Sequence, residues 1–538
     1  MFSSGIALLL VSSALAQGAP TVKVLNGTYE GFYSPEFSQE QFLGIPYVQP
    51  PLGDLRLRNP HSLNTTWDDV RSAVSYGPSC LGLNQSEGAS EDCLNLNIVR
   101  PTGISNDSAL AVAVWIFGGG FVSGSNSLPT YNLSNFVQTS QEMGTPVIAV
   151  SINYRLHCWG YMWSKEIKDE GVANLGFKDQ RLALHWIQEI TIFGESAGGN
   201  SVGTHLIAYG GRDDKLFRAA ISQSGAPSTY YRYQTADEWQ PFYDAVVYAT
   251  GCTGEQDTLA CLRTVDSSTL YDIFNDNDVV PARTSIYSQD GPKFVQVIDG
   301  DFVEESATTL MQAGKFVHVP YMLGGNKDES ATFAARGINN TEEFLELVIG
   351  PWEVSDNATA ILAALYPDIP GIGSPEVNGT PPAGLGHQFR RSGAFQGDVN
   401  IHAPRRLANE IWAASNTSTY GYVFDSYQPA LSPWVGSNHG AELPFVFGSD
   451  WIVSQMNSTY AELSKAMQKA WISFVATLDP NHHLADDQLM WPEYTGDEPE
   501  ILLFAADNTS VTTAVQPDTY RAAGIKYVAD NLDTEFGH

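Results

Sequence analysis

Ser196 lies in Gly194-Glu195-Ser196-Ala197-Gly198, a G-x-S-x-G pattern. A serine in this setting stands on a sharp turn between a strand and a helix, with its hydroxyl raised above a sheet. The chemistry on offer is acyl transfer, in which the hydroxyl attacks a carbonyl carbon and carries the acyl group as an ester. A serine hydroxyl is a weak nucleophile at neutral pH. It needs a base, and the base needs an orienting carboxylate. Five residues could also form a chance Gly/Ser turn. The flanks argue against that: ITIF before the pattern reads as a buried strand, and AGGNSVGTHLIA after it reads as a helix.

In this kind of site the chain order is serine, then acid, then histidine. Downstream, VPYMLGGNKDESATF follows a strand with a loop carrying Asp328 and Glu329, and SNHGAELPFVFG sets His439 in a Gly-containing loop. Spacing leaves the choice open. Either acid could serve, and His387, His402, His482 and His483 also follow Ser196. A tetrahedral intermediate needs amide donors aimed at its oxyanion. WIFGGGFVSG places Gly118, Gly119 and Gly120 directly after a strong strand, and Ala197 follows the serine. A phosphate cradle is the rival reading of such glycines, but no GK[ST] follows them.

These residues need rigid elements to hold them. Short apolar runs alternate with amphipathic stretches along the whole chain, which predicts an α/β fold. The clearest strands are 110–117, 146–153, 190–193, 219–222, 319–324 and 420–424; the helices include 172–189, 199–206, 341–347, 403–414 and 460–476. Several strands are nearly all apolar, as strands covered on both faces are. No linker or repeat divides the chain. The reading is one domain over 17–538, built on a large, mostly parallel central sheet with helices on both faces.

The first residues predict a secretory signal peptide over 1–16, with an apolar run at Ile6–Val11 and a small-x-small site at Ala14-Leu15-Ala16. Glycosylation sequons recur from Asn26 and Asn64 to Asn457 and Asn508. Together these point to a secreted glycoprotein. The formal net charge of −32 over 538 residues disfavours nucleic acid and anionic membranes as partners. No segment after the signal is apolar enough for stable membrane insertion. In an oxidising compartment, Cys80 with Cys93 and Cys252 with Cys261 would each close a short polar loop, and Cys158 in an apolar stretch reads as a buried thiol.

The sequence resembles the type-B carboxylesterases, a family that includes cholinesterases and fungal lipases. The resemblance is carried by FLGIPYVQPPLGDLRLRNP, SEDCLNLNIVRP, WIFGGGFVSGS, SINYRL, EGVANLGFKDQRLAL, TIFGESAGGNSVG, FRAAISQSGAP, NKDES and HGAELPFVFG, in order along the chain. It implies an α/β-hydrolase fold and a serine esterase that needs neither metal nor cofactor, with a small-molecule ester as substrate. Residue by residue, it makes Ser196 the nucleophile, His439 the general base and Glu329 the orienting acid. The oxyanion hole becomes the amides of Gly119, Gly120 and Ala197. Glu195 and Ser224 become neighbours of the catalytic histidine. The resemblance also supports both disulfides and the ion pairs Arg56–Glu91 and Arg155–Asp179.

Two features depart from the family pattern. The Cys80–Cys93 loop, LGLNQSEGASED, is short and polar and lacks tryptophan. An amphipathic lid needs about three helical turns, more than this loop holds. The expectation is therefore a carboxylesterase for soluble short- to medium-chain or broad-range esters, with an acylglycerol lipase as the alternative. The second departure is at RLALHWIQE-ITIF, where the helix-like run meets the strand-like run directly. Relatives place about eleven residues there, and an αβ connection usually takes about two to six. Either the helix gives up Ile187 to Glu189 as a loop, taking Trp186 and Ile187 out of their packing, or the chain is an incomplete gene product. A poorly supported elbow would leave a catalytically impaired binding relative.

Overall fold

A computed structural model describes residues 18–538, except 84–87, 105–107, 188–189, 230–231, 282–290, 427–430, 450–451, 453–456, 484–488 and 508. The signal segment 1–16 and the sequons at Asn84, Asn106 and Asn508 lie outside the described residues.

In chain order the strands are β1 (Thr21–Lys23), β2 (Thr28–Glu30), β3 (Phe32–Ser34), β4 (Gln39–Pro46), β5 (Val70–Ser72), β6 (Asn95–Pro101), β7 (Val112–Ile116), β8 (Ile148–Ile152), β9 (Ile190–Glu195), β10 (Ala219–Gln223), β11 (Tyr321–Asn326), β12 (Thr419–Asp425), β13 (Glu500–Ala506) and β14 (Val511–Pro517). Eleven of them form one sheet in the order β14-β13-β12-β11-β10-β9-β7-β8-β6-β4-β3, and β1, β2 and β5 form a small separate sheet. The block from β13 to β8 is parallel, and both flanks of the large sheet are antiparallel.

Helices cover the sheet on both sides. This explains the strand composition: β7, β9, β10 and β11 are buried along their whole length, so neither face selects polar residues. Trp115 on β7 is fully buried, with ring centroids 4.9 Å from Phe193 and 4.8 Å from Phe447. These aromatics tie β7, β9 and the segment after His439 into one core. Among the described residues, no helix is long and apolar enough to cross a membrane.

The tight junction before Ser196 takes a definite form. The helix Leu175–Trp186 stops, Ile187 is extended with φ −110° and ψ 153°, and β9 begins at Ile190. Gln188 and Glu189 lie outside the described residues. Trp186 and Ile187, which the unwound alternative would take out of their packing, are both half-buried against the main core. β9 is held from both sides, pairing from Ile190 to Gly194 with β7 and from Thr191 to Glu195 with β10. The placement of Ser196 therefore rests on two neighbouring strands rather than on the connector.

Both expected disulfides are formed, and Cys158 is a buried free thiol. The expected ion pairs are present too. Arg56 grips both carboxylate oxygens of Glu91 at 2.6 and 2.7 Å, and Arg155 does the same to Asp179 at 2.7 and 2.8 Å.

Candidate active site

β9 ends at Glu195 and a helix starts at Ala197, so Ser196 is the whole of the turn between them. Its backbone, at φ 59° and ψ −125°, occupies a region that costs a non-glycine residue about 1–3 kcal/mol. Hydrogen bonds hold it there: the Ser196 N–H donates to Gln223 O at 3.0 Å, and the Asn200 N–H donates to Ser196 O at 2.9 Å. The chain folds this tightly because Gly198 has no side chain. A Cβ at that position would lie 2.0 Å from Ile116 O at the end of β7.

The Ser196 hydroxyl faces a histidine from the other end of the chain. Its Oγ is 2.7 Å from His439 Nε2, and His439 Nδ1 is 2.6 Å from Glu329 Oε2. The other Glu329 oxygen accepts from Ser224 Oγ and from the Asn326 N–H, each at 2.6 Å. Glu329 is thus a buried carboxylate with both oxygens engaged, able to fix the imidazole in one orientation. Asp328 does not reach His439; its carboxyl meets Ser374 and Ser437 instead. Of the other candidate histidines, His402 is buried away from this cluster, and no described contact joins it, His387, His482 or His483 to Ser196.

Gly119 and Gly120 follow β7 with φ of 114° and 62°. Among the described residues their amides donate to no backbone carbonyl. Ala197 is the first residue of its helix, so its N–H has no carbonyl a turn earlier to pair with. β7 and β9 run side by side with Ile116 opposite Gly194, and a Cβ on Gly118, the residue before Gly119, would lie 2.8 Å from Ser196 Cβ.

Four further residues had no local sequence signal. Glu442 is fully buried, accepting from Gln223 Nε2 at 3.0 Å and from Asn326 Nδ2 at 2.6 Å. Trp471 Nε1 donates to Gln223 Oε1 at 3.0 Å, which ties the network to the long helix Ser458–Thr477. Glu442 stands only three places after His439, but nothing in that spacing distinguishes it from a surface acid.

Glu195 Oε1 lies 3.3 Å from His439 Nε2, on the same nitrogen that meets Ser196. Burial pushes the Glu195 carboxyl up to about 8, against the pull of His439 and with support from Glu442 and Glu329. For His439 burial works downward, but the Glu195 and Glu329 carboxylates outweigh it and raise the imidazole above its ordinary range. Each group thus holds a proton more tightly than it would in water, and the two titrate as a coupled pair. A hydroxyl, a neutral imidazole and a carboxylate in series can carry out base-assisted acyl transfer.

The carboxylesterase family model matches residues 18–523. Lipase 4 of Diutina rugosa is 34% identical, over 91% of this chain and 92% of its own. Acetylcholinesterase of Bungarus fasciatus is 33% identical, over 85% of this chain and 78% of its own. The crystal structure of Aspergillus niger EstA superposes with a TM-score of 0.82 at 27% identity, covering 97% of this chain and 99% of that one. With the α/β-hydrolase sheet and the Ser196 turn already described, the match over nearly the whole length means that the chain belongs to the carboxylesterase family, whose chemistry is the hydrolysis of carboxylic esters.

Proposed function

We propose that this protein is a secreted, glycosylated carboxylesterase that hydrolyses soluble esters of short- to medium-chain acids through an acyl-enzyme. The observation that carries the reading is the run of contacts from Ser196 Oγ to His439 at 2.7 Å and from His439 to Glu329 at 2.6 Å. In this reading Ser196 attacks the ester carbonyl while His439 Nε2 takes its proton. Glu329 holds the imidazole and stabilises its charged form. The amides of Gly119, Gly120 and Ala197 bind the oxyanion. His439 then protonates the departing alcohol, and water repeats the sequence to release the acid. The intact Ser196–His439 contact favours this over an impaired binding relative.

The choice of soluble esters rests on the Cys80–Cys93 loop, whose ends are only 13 residues apart in sequence. A lid helix of about three turns does not fit between them. The relatives named lipases keep acylglycerol hydrolysis as the second reading. Rates on p-nitrophenyl butyrate and on emulsified triolein separate the two. The expected result is turnover that follows dissolved butyrate ester, with no jump on reaching an oil–water interface. Faster hydrolysis of the emulsion would favour the lipase reading. Secretion has support from the leader-like 1–16 and from exposed sequons such as Asn64, Asn339, Asn357 and Asn378.

The raised proton affinity of His439 sets the pH dependence. Acidification protonates His439, and the surrounding carboxylates make it do so above the ordinary histidine range. An imidazolium cannot accept the Ser196 proton. kcat/KM should therefore rise with pH as that proton leaves His439 and fall as the medium is acidified. Glu195→Gln mimics the protonated carboxyl, so kcat/KM at neutral pH should stay within about tenfold of the parent. A loss of about a thousandfold or more would show that the ionised carboxylate is what the reaction requires.

A further inference from the structure

Asp328 and Glu329 are adjacent acids in one loop, yet only Glu329 touches His439. We propose that Asp328 is a positioning residue for the same reaction, clasping the loop that carries His439 to the loop that carries Glu329. The proposal rests on the assignment of Ser196, His439 and Glu329 given above.

Asp328 is buried, with 4% of its surface exposed. Two hydrogen bonds join it to the backbone of Ser437, two residues before His439. The Asp328 N–H donates to Ser437 O at 3.0 Å, and the Ser437 N–H donates to Asp328 Oδ2 at 3.0 Å. The other carboxyl oxygen accepts from Ser374 Oγ at 2.9 Å. Neighbouring bonds continue the seam: Asn326 Nδ2 donates to Asn438 O at 2.9 Å, and Ser437 Oγ donates to Phe424 O at 2.9 Å, at the end of β12. Acid loop and histidine loop are thus fastened together immediately beside both reacting side chains.

The fit is close enough to constrain the sequence of the partner loop. Gly436 has φ 57°, and a Cβ on it would lie 2.3 Å from Asp328 Oδ2. Only a residue without a side chain lets the carboxyl reach the Ser437 amide. A misplacement of about 1 Å in a catalytic group can reduce turnover about a hundredfold. A shift at Ser437 has only Asn438 in which to dissipate before it reaches His439.

What the clasp needs is hydrogen-bonding shape rather than charge. Burial pushes the Asp328 carboxyl up to about 6, while the Ser437 and Ser374 bonds pull it down; Asp425 raises it and Lys327 lowers it. Tyr520 also faces it. Protonated, the group still accepts from Ser437 and can donate to Ser374. Asparagine offers the same pair of functions. Alanine offers neither and leaves the Ser437 N–H buried and unpaired.

The test uses the full chain, with active sites counted by phosphorylation with diethyl p-nitrophenyl phosphate run to completion. On p-nitrophenyl butyrate, Asp328→Asn is expected to keep kcat per site within about threefold. Asp328→Ala should lower kcat per site about 30- to 100-fold, with KM changed less than about threefold. Its acid limb should also move to lower pH. A His439 no longer held against Glu329 loses a carboxylate that supports the imidazolium, while Glu195 and Glu442 remain nearby. A purely structural role would reduce the number of active sites, leaving turnover per site and the acid limb in place. Gly436→Ala presses on the same clasp from the other loop and should reproduce the alanine phenotype even if Asp328→Ala fails to fold.

Turnover and acid limb unchanged in both Asp328→Ala and Gly436→Ala would overturn the proposal. So would Asp328→Asn as impaired as Asp328→Ala, which would make charge the requirement. Ser196→Ala, run alongside, separates the two claims: full activity there removes the site assignment itself, whereas loss there with normal clasp variants removes only the clasp.

Discussion

Ser196→Ala is expected to lower kcat on p-nitrophenyl butyrate by about 10⁴- to 10⁶-fold, without loss of folded protein. The size follows from the chemistry. Among the described residues, the hydroxyl is the only group that His439 Nε2 faces at 2.7 Å in a position to become covalently acylated. Without it, only oxyanion stabilisation and substrate binding remain, and these leave a residual catalysis of about 10³- to 10⁴-fold over water. Stability should change little. Alanine at φ 59° bears much the same backbone strain as serine, and the bonds holding the turn, Ser196 N–H to Gln223 O and Asn200 N–H to Ser196 O, involve main chain only at this position. His439→Ala should fall to a similar level, and the double variant should fall no further, because the two groups act as a unit. Steady-state rates after titration of active sites, with circular dichroism as the control for folding, measure this. A Ser196→Ala protein hydrolysing at the parent rate would mean that the ester-cleaving site lies elsewhere on the molecule.

The second large effect is structural. Gly198→Ala should destabilise the protein by about 3–5 kcal/mol and remove most of its activity. Two opposing terms decide the sign. Gly198 lies in the helix that follows Ser196, where alanine would ordinarily gain up to about 1 kcal/mol from helix propensity. Against that, the new Cβ would sit 2.0 Å from Ile116 O and 2.8 Å from Ile116 C. Ile116 cannot retreat, since β7 is paired on one side with β8 and on the other with β9. Relief must come from the helix and the serine turn, which swings Ser196 away from His439. The steric term exceeds the propensity term several-fold. Thermal unfolding and turnover per active site test the prediction together. Gly371→Ala is the control, since nothing lies within 4 Å of a Cβ there. A stable, fully active Gly198→Ala protein would mean that the elbow has slack that its contacts do not suggest.

The junction before β9 shows why a local departure need not reach the site. Only Ile187, Gln188 and Glu189 stand between the helix Leu175–Trp186 and the strand. The connector meets the N-terminal end of β9, whereas Ser196 follows its C-terminal end. Between them lies the length of the strand, buried throughout and paired on both edges.

Sequence alone determined the parts of this protein that depend on neighbours in the chain. A buried run, Gly-Glu-Ser-Ala-Gly and then a helical run dictate a strand–turn–helix, because the apolar period and the small residues act over a few positions. Its resemblance to a family pointed further, to Glu329 over Asp328, to His439 over the other histidines and to both disulfide pairings, since the motifs recur in order over the whole chain. Tertiary structure alone decided what the remaining polar residues do. Asp328 and Glu329 are adjacent and chemically alike, but one faces Ser437 and the other His439. Glu442 became a buried partner of Gln223 and Asn326, and Trp471 an anchor for Gln223. The physical reason is distance along the chain. His439 meets Glu329 across 110 residues and Ser196 across 243. Contacts of that range are set by how the ends of β9, β10, β11 and β12 line up in the sheet and by the hydrogen bonds that fasten their loops. No local pattern of residue types encodes either.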